Sequence, residues 1–382
     1  MTRVVLSTTV AQRGRSGVAS YLFGLLDGFK AIDAPVKITL VGLEGDHGLF
    51  TRWLDRCDWL PIGERYRPAV RNIWWHQTSL RSVLRERQAD VLHIPSYRRI
   101  VWNSPAPQVV TIHDCAAFNV RGKYDAARMF YGQHVARRLA RGAEAITCVS
   151  QATADDVEKH FEIPASDQSV IWNGIDHGRF RVATATELAD FRARLGLGQN
   201  NYFLYLARLE HPAKNHIRLI EAFEKFAAEN PEREDHLLFG GADWHGAEEI
   251  HRRIAASPLS DRIRSLGFVE DYDLPFWYGA ATAMVYPSLF EGFGLPPVEA
   301  MACGCPVISS TRGSLGEVVG DAARLIDPED IDDMATALGE MIEEHHRAKW
   351  QQLGKTRAAL FDWRESARQL TELYQKTAQR RA

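Results

Sequence analysis

The sequence predicts an α/β protein with two domains, each built on a doubly wound parallel sheet. The chain has 382 residues, enough for two domains of ordinary size. Short apolar runs alternate with longer helical patterns along both halves, which is typical of parallel strands with helices on both faces of a sheet. Because no short repeat relates the two halves, we expect two similar domains rather than a solenoid.

The predicted elements follow the chain in that alternating order. Helical patterns in the first half include residues 17–29 and 125–141. The strands of the first half are predicted at residues 3–7, 37–41, 91–95, 109–113, 145–150 and 169–172. Those of the second half are predicted at residues 202–207, 236–240, 263–269, 283–286, 306–309 and 323–326. Residues just after such strands are candidate site residues, because open parallel sheets bind ligands at their carboxyl edge.

A turn and an amphipathic tail set the predicted domain limits. The run Trp172-Asn-Gly-Ile-Asp176 contains an Asn-Gly turn signal, so the first domain should cover residues 1–176 and the second residues 177–360. The tail, residues 361–382, is predicted as a helix with one apolar face that must be covered. That face consists of Trp363, Ala367, Leu370, Leu373 and Tyr374.

Composition and cysteine usage indicate a globular protein of the cytoplasm. The chain is 45% hydrophobic and 25% charged. It has no apolar stretch long enough to cross a bilayer, and its first residues suit a strand rather than a signal peptide. The cysteines are scattered, and Cys303 and Cys305 lack a second ligand pair, which favours buried thiols over a metal site. A reducing compartment fits this usage.

The charge pattern excludes one class of partner and suggests another. The net charge is −3, the pI is about 6.5 and no binding motif for nucleic acid is present, so nucleic acid is not an expected partner. A basic stretch around Trp74 and Trp75 suits peripheral contact with the inner face of a membrane. An ordinary amphipathic helix with core tryptophans explains that stretch equally well. Its basic residues are Arg65, Arg67, Arg71, Arg81, Arg85 and Arg87.

Two glutamates eight positions apart, Glu291 and Glu299, are the strongest candidate site residues. They lie in Pro287-Ser-Leu-Phe-Glu-Gly-Phe-Gly-Leu-Pro-Pro-Val-Glu-Ala-Met-Ala-Cys-Gly-Cys-Pro306, directly after a predicted buried strand. Pro296 and Pro297 suit the first turn of a helix, where a missing N–H costs nothing. Glu291 should therefore lie on a loop and Glu299 about one turn into a helix, at the carboxyl edge of the sheet. Two acids alone would favour a solvated face.

The complete run resembles the Glu-x7-Glu signature of retaining glycosyltransferases of family 4, which have the GT-B fold of two Rossmann-like domains. The resemblance covers essentially the whole chain, including the Asn-Gly linker and the tail helix, which in that fold crosses back to the N-terminal domain. It implies an acceptor-binding N-terminal domain, a C-terminal domain that binds a nucleotide-sugar donor, and closure of a cleft between them. It also implies that Glu291 binds hydroxyls of the transferred sugar and Glu299 the ribose diol, which matches two carboxylate oxygens.

Two cations and two glycine-containing segments are the predicted binding site for the donor diphosphate. Arg208 and Lys214 follow the first strand of the second domain and resemble the Arg-x5-Lys pair of the family. Arg can grip two oxygens at once and Lys adds a compact charge, although either alone is usually surface decoration. Gly17, in Gly14-Arg-Ser-Gly17, resembles the family's first loop, although many tight turns share that spacing. Backbone amides would come from Gly292, Phe293, Gly294 and Leu295.

His113 and Asp114 end a predicted buried strand and resemble the family's His-Asp pair near the sugar. By that resemblance, His113 meets the transferred sugar, with its backbone carbonyl near the anomeric carbon. Asp114 would orient the histidine or help to bind the acceptor. The alternative is a hydrogen-bonded core histidine, the commoner role at the end of a strand. His93, also at a strand end, has no comparable support and is predicted to be structural.

Asp271-Tyr-Asp273 spells the Asp-x-Asp metal motif of the other large glycosyltransferase fold. We reject that interpretation, because the motif follows a strand and precedes a helix, where the family has its nucleobase loop. Val269 and Asp271 are therefore predicted to contact the base. Asp271 could accept from the two adjacent donors of a guanine edge, which favours GDP-mannose over a UDP-sugar. No metal ion and no cofactor is expected, since the cations and a helix dipole serve the diphosphate.

These observations predict a retaining, metal-independent glycosyltransferase that moves a hexose to a saccharide acceptor. Retention would follow a same-face substitution in which the leaving phosphate oxygen takes the acceptor's proton. The expected acceptor is a lipid-linked saccharide of a surface polysaccharide, with residues 11–16 and 96–102 as its candidate loops. The alternatives are a UDP-sugar transferase of the same family, an epimerase or phosphorylase on the same fold, and a non-catalytic nucleotide-binding scaffold.

Overall fold

Two parallel sheets organise the chain. The computed structural model describes residues 1–119, 126–195 and 201–380. Contacts divide the chain into one unit of Met1–Gly174 with Asp362–Ala382 and a second unit of Ile175–Phe361. Each unit has its own sheet and its own helices, so the predicted α/β class with two doubly wound domains is confirmed.

The first unit contains, within the described ranges, a sheet of seven parallel strands. They are β1 (Thr2–Ser7), β2 (Val36–Leu43), β3 (Cys57–Ile62), β4 (Val91–Ile94), β5 (Gln108–Ile112), β6 (Ala145–Cys148) and β7 (Gln168–Val170). Their order is β3-β2-β1-β4-β5-β6-β7, so the winding direction reverses between β1 and β4. Open parallel sheets bind ligands outside the carboxyl ends of the strands at such a reversal.

The strand β3 is not among the predicted strands. Its sequence, Cys-Asp-Trp-Leu-Pro-Ile, mixes a carboxylate and a proline with apolar residues, and Ile62 alone among its six side chains is fully buried. It is an edge strand, paired with β2 alone. An edge strand needs neither a continuous apolar run nor all of its backbone N–H groups, so an apolar pattern does not reveal it. The six predicted strands of this unit are confirmed.

Helices cover both faces of this first sheet. Successive side chains of β1 belong to different buried clusters, Val4 and Leu6 to one and Val5 to the other. The helix predicted at residues 125–141 corresponds to three consecutive segments: α6, a π-helical turn at Tyr131–Ala136, and α7. Position 125 lies outside the described residues. The helices are α1 (Gly17–Ala31), α2 (His47–Phe50), α3 (Ala69–Gln77), α4 (Ser79–Glu86), α5 (Ala116–Asn119), α6 (Ala126–Phe130), α7 (Arg137–Ala140) and α8 (Gln151–Phe161).

The second unit has, in the part of the chain that the structure describes, a sheet of six parallel strands. They are β8 (Tyr202–Leu206), β9 (His236–Gly240), β10 (Ile263–Gly267), β11 (Ala283–Tyr286), β12 (Val307–Ser310) and β13 (Arg324–Ile326), as predicted. Their order, β10-β9-β8-β11-β12-β13, reverses between β8 and β11. The helices are α9 (Ala185–Leu195), α10 (His216–Glu229), α11 (Ala247–Ala255), α12 (Leu274–Ala280), α13 (Leu295–Ala302), α14 (Leu315–Val319), α15 (Ile331–Glu340) and α16 (Glu344–Ala358).

The last helix, α17 (Trp363–Gln379), packs on α1 in the first unit. Gly24 and Gly28 of α1 face Trp363, and a Cβ at either glycine would overlap that tryptophan. Further along α17, the hydroxyl of Tyr374 lies 2.6 Å from Nδ1 of His93 on β4. The apolar face of the tail is thereby covered: Trp363, Ala367, Leu370 and Tyr374 are buried and Leu373 is partly buried.

The two tryptophans of the basic stretch have different environments. Trp75 is buried in the core of the first unit, as the ordinary-helix interpretation requires. Trp74, in contrast, is 56% exposed on α3, and Val70, one turn earlier on the same face, is 80% exposed. Among the helices of the described ranges, none has both the length and the apolar character that crossing a bilayer requires.

We expect Gly28→Ala to destabilise the first unit, because the added Cβ would overlap the backbone carbonyl of Trp363 and push α17 away from α1. Overpacking of this kind costs about 1–3 kcal/mol in the free energy of unfolding, measured by urea denaturation. Gly48→Ala is the matched control, since a Cβ there meets no heavy atom within 4 Å. Equal stability of the two variants would contradict the close packing of α17 on α1.

Candidate functional site

The loop that carries Glu291 follows β11 and is fixed by backbone contacts on both sides. Its Leu289 N–H donates to the carbonyl of Ala213 in the turn after β8, at 3.0 Å. The hydroxyl of Ser314 donates to the carbonyls of Glu291 at 3.1 Å and Phe293 at 2.9 Å. These bonds hold the carboxyl ends of β8 and β11, the two strands between which the winding reverses, in one local arrangement.

Lys214 and Glu291 form an ion pair at this edge of the sheet. Their side chains are only 12% and 15% exposed, so the pair is largely shielded from water. Burial works to raise the pKa of Glu291, but the Lys214 ammonium and hydrogen bonds from Ser288 and Tyr286 outweigh it and lower the pKa below its usual value. Glu291 is therefore a carboxylate at neutral pH, with oxygens able to accept from hydroxyl donors.

Glu299 lies on α13 and has a different electrostatic environment. The helix starts after Gly294, whose φ of +92° favours glycine. Burial raises the pKa of Glu299 to about 7, although Arg179 and a hydrogen bond from the Tyr278 hydroxyl, at 3.1 Å, act in the opposite direction. The two glutamates of the motif therefore differ: near neutral pH one is ionised and the other is half protonated.

Arg208 lies in the turn after β8, and its side chain is 47% exposed. Its guanidinium carbon lies 4.7 Å from the ring centre of Trp244, and a nitrogen lies 3.5 Å from Glu210. Within the described ranges, it forms no hydrogen bond or ion pair with Lys214 or Glu291. The structure thus brings Lys214 and Glu291 together and leaves Arg208 accessible at the same sheet edge.

Asp271 and Asp273 have separate partners. Asp271 is 77% exposed at its side chain and lies 3.6 Å from a guanidinium nitrogen of Arg179. Asp273 is buried and pairs with Arg194. Val269 follows β10, and its side chain would meet a Cβ at Gly240, the last residue of β9. No group of three or more His, Cys, Asp or Glu side chains in residues 1–119, 126–195 and 201–380 could hold a metal ion.

Two cysteines and the glycines of the loop before α1 have environments that the structure describes. Cys303 and Cys305 are free buried thiols, as predicted, and burial raises the pKa of each. Gly17 starts α1, and a Cβ there would meet nothing within 4 Å, so the protein leaves open space beside it. Gly14, with a φ of +80°, is the glycine of this loop that the backbone conformation requires.

In the first unit, His113 follows β5 and packs edge-on against Tyr21, with ring centres 4.7 Å apart. Burial lowers its pKa to about 4, despite Asp114 and a hydrogen bond to the backbone of Pro95, so the ring is neutral. Its Nε2 is shielded and has no hydrogen-bond partner within the described part of the chain. Asp114 accepts from the N–H of Ala116 at 2.9 Å, at the start of α5.

His93 has both ring nitrogens in use. Nε2 lies 2.8 Å from the hydroxyl of Thr111, and Nδ1 lies 2.6 Å from that of Tyr374 on α17. Burial lowers its pKa to about 3, so it is a neutral member of a buried hydrogen-bond network. This arrangement agrees with the structural role predicted for His93.

Several residues around the glutamates were not predicted. Trp244 and Arg179 lie beside Arg208 and Asp271, and Tyr278 and Ser314 hold Glu299 and the Glu291 loop. Asn215, with a φ of +60°, donates from Nδ2 to the carbonyls of Pro287 and Pro328 at 3.2 and 2.6 Å. Only Asn215 had a signal in the sequence, its position directly after Lys214.

Two family models of sugar-transferring enzymes match this chain. The family model described as "Glycosyl transferases group 1" matches residues 189–357. The model described as "Glycosyltransferase Family 4" matches residues 15–179. The two matches together include the predicted site residues from Gly17 to Glu299.

Two individual relatives are mannosyltransferases by name. O-antigen chain mannosyltransferase B of Escherichia coli is 30% identical over 270 residues, which is 70% of this chain and 69% of that protein. MMP alpha-(1->4)-mannosyltransferase of Mycolicibacterium hassiacum is 30% identical over 260 residues, which is 66% of this chain and 59% of that protein. The crystal structure of Anabaena Alr3699/HepE in complex with UDP-glucose has a TM-score of 0.79 at 20% identity and covers 98% of this chain and 100% of that one. At that identity, the likeness shows the fold alone.

We expect Lys214→Met to raise the pKa of Glu291 above its usual value, because burial then acts without a neighbouring ammonium. The measurement is a pH titration of the glutamate carboxyl carbons by ¹³C NMR. Lys225→Met is the control, since Lys225 pairs with Asp332 on the surface. Glu299 should titrate at about 7 in all three proteins. A Glu291 pKa that stays low in Lys214→Met would show that the ion pair does not set its charge.

Proposed function

The chain belongs to the glycosyltransferases of group 1 and family 4 and has their GT-B fold, and on that premise we propose that it transfers mannose from GDP-mannose to a saccharide acceptor. In this proposal the reaction retains the anomeric configuration and uses no metal ion. The acceptor is a lipid-linked saccharide of a surface polysaccharide, reached from the cytoplasm. A UDP-sugar is the alternative donor.

The observation that carries the proposal is the shielded Lys214–Glu291 pair on the same loop-helix segment as Glu299. An ionised carboxylate accepts hydrogen bonds without donating any, so Glu291 suits the hydroxyls of a sugar. Glu299, with its pKa of about 7, can supply a second carboxylate for the ribose diol. Stability alone does not explain the Lys214–Glu291 pair, since a buried ion pair is rarely worth more than the apolar contact it replaces.

Departure of a nucleoside diphosphate requires positive charge where negative charge develops. Lys214 supplies an ammonium beside Glu291, and the exposed guanidinium of Arg208 can grip two phosphate oxygens. The N-terminus of α13 adds the backbone N–H of Leu295 and a partial positive charge, although Pro296 and Pro297 have no N–H to donate. These groups support a metal-free departure in which the phosphate oxygen takes the acceptor's proton.

The choice of GDP-mannose rests on two supports. Both relatives described above are mannosyltransferases by name. Asp271 keeps most of its carboxylate exposed despite the nearby Arg179, so it can accept from the paired donors of a guanine edge. The solved neighbour in complex with UDP-glucose keeps a UDP-sugar as the alternative.

On the first unit, His113 is the proposed contact with the transferred sugar. Its ring is neutral because burial lowers its pKa to about 4, so it can exchange hydrogen bonds with hydroxyls without adding charge. The Nε2 atom without a partner in the described part of the chain is available for such a bond. A role as a proton acceptor near neutral pH would suit this histidine poorly.

Peripheral membrane contact is part of the proposal and rests on exposed side chains of the first unit. Val70 and Trp74 on α3 are exposed, and Trp102 is 72% exposed. The N–H of Trp102 donates to the side chain of Gln77 at 2.9 Å, which ties its loop to the end of α3. Together with the exposed Arg71, these residues suit the headgroup region of an anionic bilayer.

We expect Arg208→Ala to lower kcat/KM for mannosyl transfer from GDP-mannose by about 10²–10³, because one charged donor to the leaving group is lost. The assay follows GDP release in the presence of a chelator, which should leave the wild-type rate unchanged. Arg252→Ala, an exposed arginine of α11, is the control with the same change of charge. Turnover that depends on added metal would contradict the metal-free assignment, and equal rates in the two variants would contradict the proposed role of Arg208.

We expect the double variant Trp74→Ser, Trp102→Ser to bind vesicles containing phosphatidylglycerol about tenfold more weakly than wild type, because two interfacial side chains are lost. Co-sedimentation with vesicles gives the partition coefficient. Leu360→Ser removes a comparably exposed apolar side chain from the second unit and serves as the control. Equal partitioning of wild type and double variant would remove this surface from the proposal.

A further inference from the structure

A group of polar side chains lies at the carboxyl edge of the first sheet, outside the residues that the proposed function uses. Arg99 ends a 3₁₀ turn directly after β4, and Ser7 ends β1. Asn72 and His76 reach the same place from α3: Arg99 Nε donates to Asn72 Oδ1 at 2.6 Å, and His76 Nε2 lies 2.9 Å from Ser7 Oγ. The strands β1 and β4 are those between which the winding reverses, so this is a favourable place for a ligand.

Arg99 has no counterion in this group. Its guanidinium donates to Asn72 Oδ1 and, at 3.3 Å, to the carbonyl of Arg98, and in the described part of the chain no carboxylate pairs with it. Burial lowers its pKa to about 10, which still leaves it charged near neutral pH. A largely buried cation without a counterion is costly, so an arrangement of this kind favours an anionic ligand.

Asn72 adds a second donor without an acceptor. The residue is only 1% exposed, and its Oδ1 accepts from both Arg99 and Thr9. This fixes the orientation of the amide, since Nδ2 could not accept from a guanidinium. Nδ2 is shielded and has no hydrogen-bond partner among the described residues. A buried donor left without a partner is uncommon in proteins and needs an explanation.

The neighbouring histidine does not supply the missing acceptor. Nδ1 of His76 lies 2.8 Å from the carbonyl of Asn72, so Nδ1 donates and Nε2 accepts from the hydroxyl of Ser7. Burial lowers the pKa of His76 to about 4, so the ring is neutral. The group therefore presents one positive charge and an unused amide donor, and no negative charge from these four side chains.

We propose that Arg99 and Asn72 bind a phosphate-type oxyanion carried by the acceptor. The oxygens of a phosphate monoester or diester match a guanidinium and can accept from the amide Nδ2 once the anion displaces the side chains that cover it. A neutral sugar would leave the charge of Arg99 without a counterion. The proposal rests on the proposed function, because it assigns the anion to the acceptor and not to the donor. Within the predicted acceptor loop at residues 96–102, it identifies Arg99 as the residue that binds the acceptor's negative charge.

A binding experiment tests the anion site without requiring any sugar transfer. Inorganic phosphate is titrated calorimetrically into wild type, Arg208→Ala, and Asn72→Asp, which keeps Oδ1 but replaces the donor with a negative charge. Because phosphate can also bind at the proposed donor site beside Arg208, the Arg99–Asn72 site is identified as the phosphate binding that Arg208→Ala retains. We expect Asn72→Asp to lower the affinity of that retained site by about tenfold or more. Arg99→Lys, which keeps the charge but not the two-oxygen grip, should be intermediate. Unchanged binding in Asn72→Asp, or loss only in Arg208→Ala, would overturn the proposal.

A kinetic experiment then identifies the carrier of the anion. Methyl mannoside, mannose 1-phosphate and a short-chain prenyl diphosphate mannoside are compared as acceptors. In Asn72→Asp, KM should rise about tenfold or more for the phosphate-bearing acceptors and stay unchanged for methyl mannoside and for the donor. A rise limited to one phosphorylated acceptor distinguishes a sugar phosphate from a lipid diphosphate. Arg85→Ala, exposed on α4, is the charge control. Equal changes for all acceptors would contradict acceptor-borne recognition.

The two experiments distinguish failure of the proposed sugar transfer from failure of the proposed anion site. If none of the acceptors reacts, the proposed transfer is wrong for them, but phosphate titration still decides whether Arg99 and Asn72 form an anion site. If transfer proceeds and phosphate does not bind, the function stands and this site is lost. Thermal unfolding of Asn72→Asp provides the folding control, since the new carboxylate can pair with Arg99 and should preserve the local structure.

Discussion

The ion pair between Lys214 and Glu291 is the constraint on which the site of the second unit depends. Both side chains are largely removed from water, so loss of either partner would leave a buried charge that costs several kcal/mol. The pair also connects the turn after β8 with the loop after β11. The hydroxyl of Ser314 fixes that loop by donating to the carbonyls of Glu291 and Phe293. Charge and loop position are therefore set together, and a ligand meets an arrangement already formed.

The same segment provides two glutamates with opposite tendencies. Glu291 is near an ammonium and stays ionised, whereas partial burial beside a tyrosine hydroxyl raises the pKa of Glu299 to about 7. Sequence spacing placed both at one sheet edge but could not distinguish their charge, because the partners come from distant segments. In the proposed function, ligand hydroxyls would meet one permanent acceptor and one that must first lose its proton, which would link donor binding to pH.

Features that depend on neighbouring residues in the chain were predictable. Continuous apolar runs located twelve strands, and the glutamate run placed its loop and helix correctly. The apolar pattern did not predict the edge strand β3, because a strand that pairs on one side only can contain residues such as Asp58 and Pro61. The environments of Trp74 and Trp75, and the contacts of Arg99 with Asn72, depend on packing between segments far apart in sequence. Residue type and spacing carry no record of such contacts, so only the structure reveals them.

The most direct test of the central claim is calorimetric titration of GDP and UDP, with a chelator present, at pH values of about 6 and 8. Because the free protein holds the pKa of Glu299 near 7, its carboxylate is mostly protonated at the lower pH and ionised at the higher one. The account predicts metal-free binding of GDP that strengthens by about tenfold as pH rises, and loss of that dependence in Glu299→Gln. Preference for UDP would change only the donor. Absence of binding by either nucleotide, at both pH values, would contradict a nucleotide-sugar site at this sheet edge.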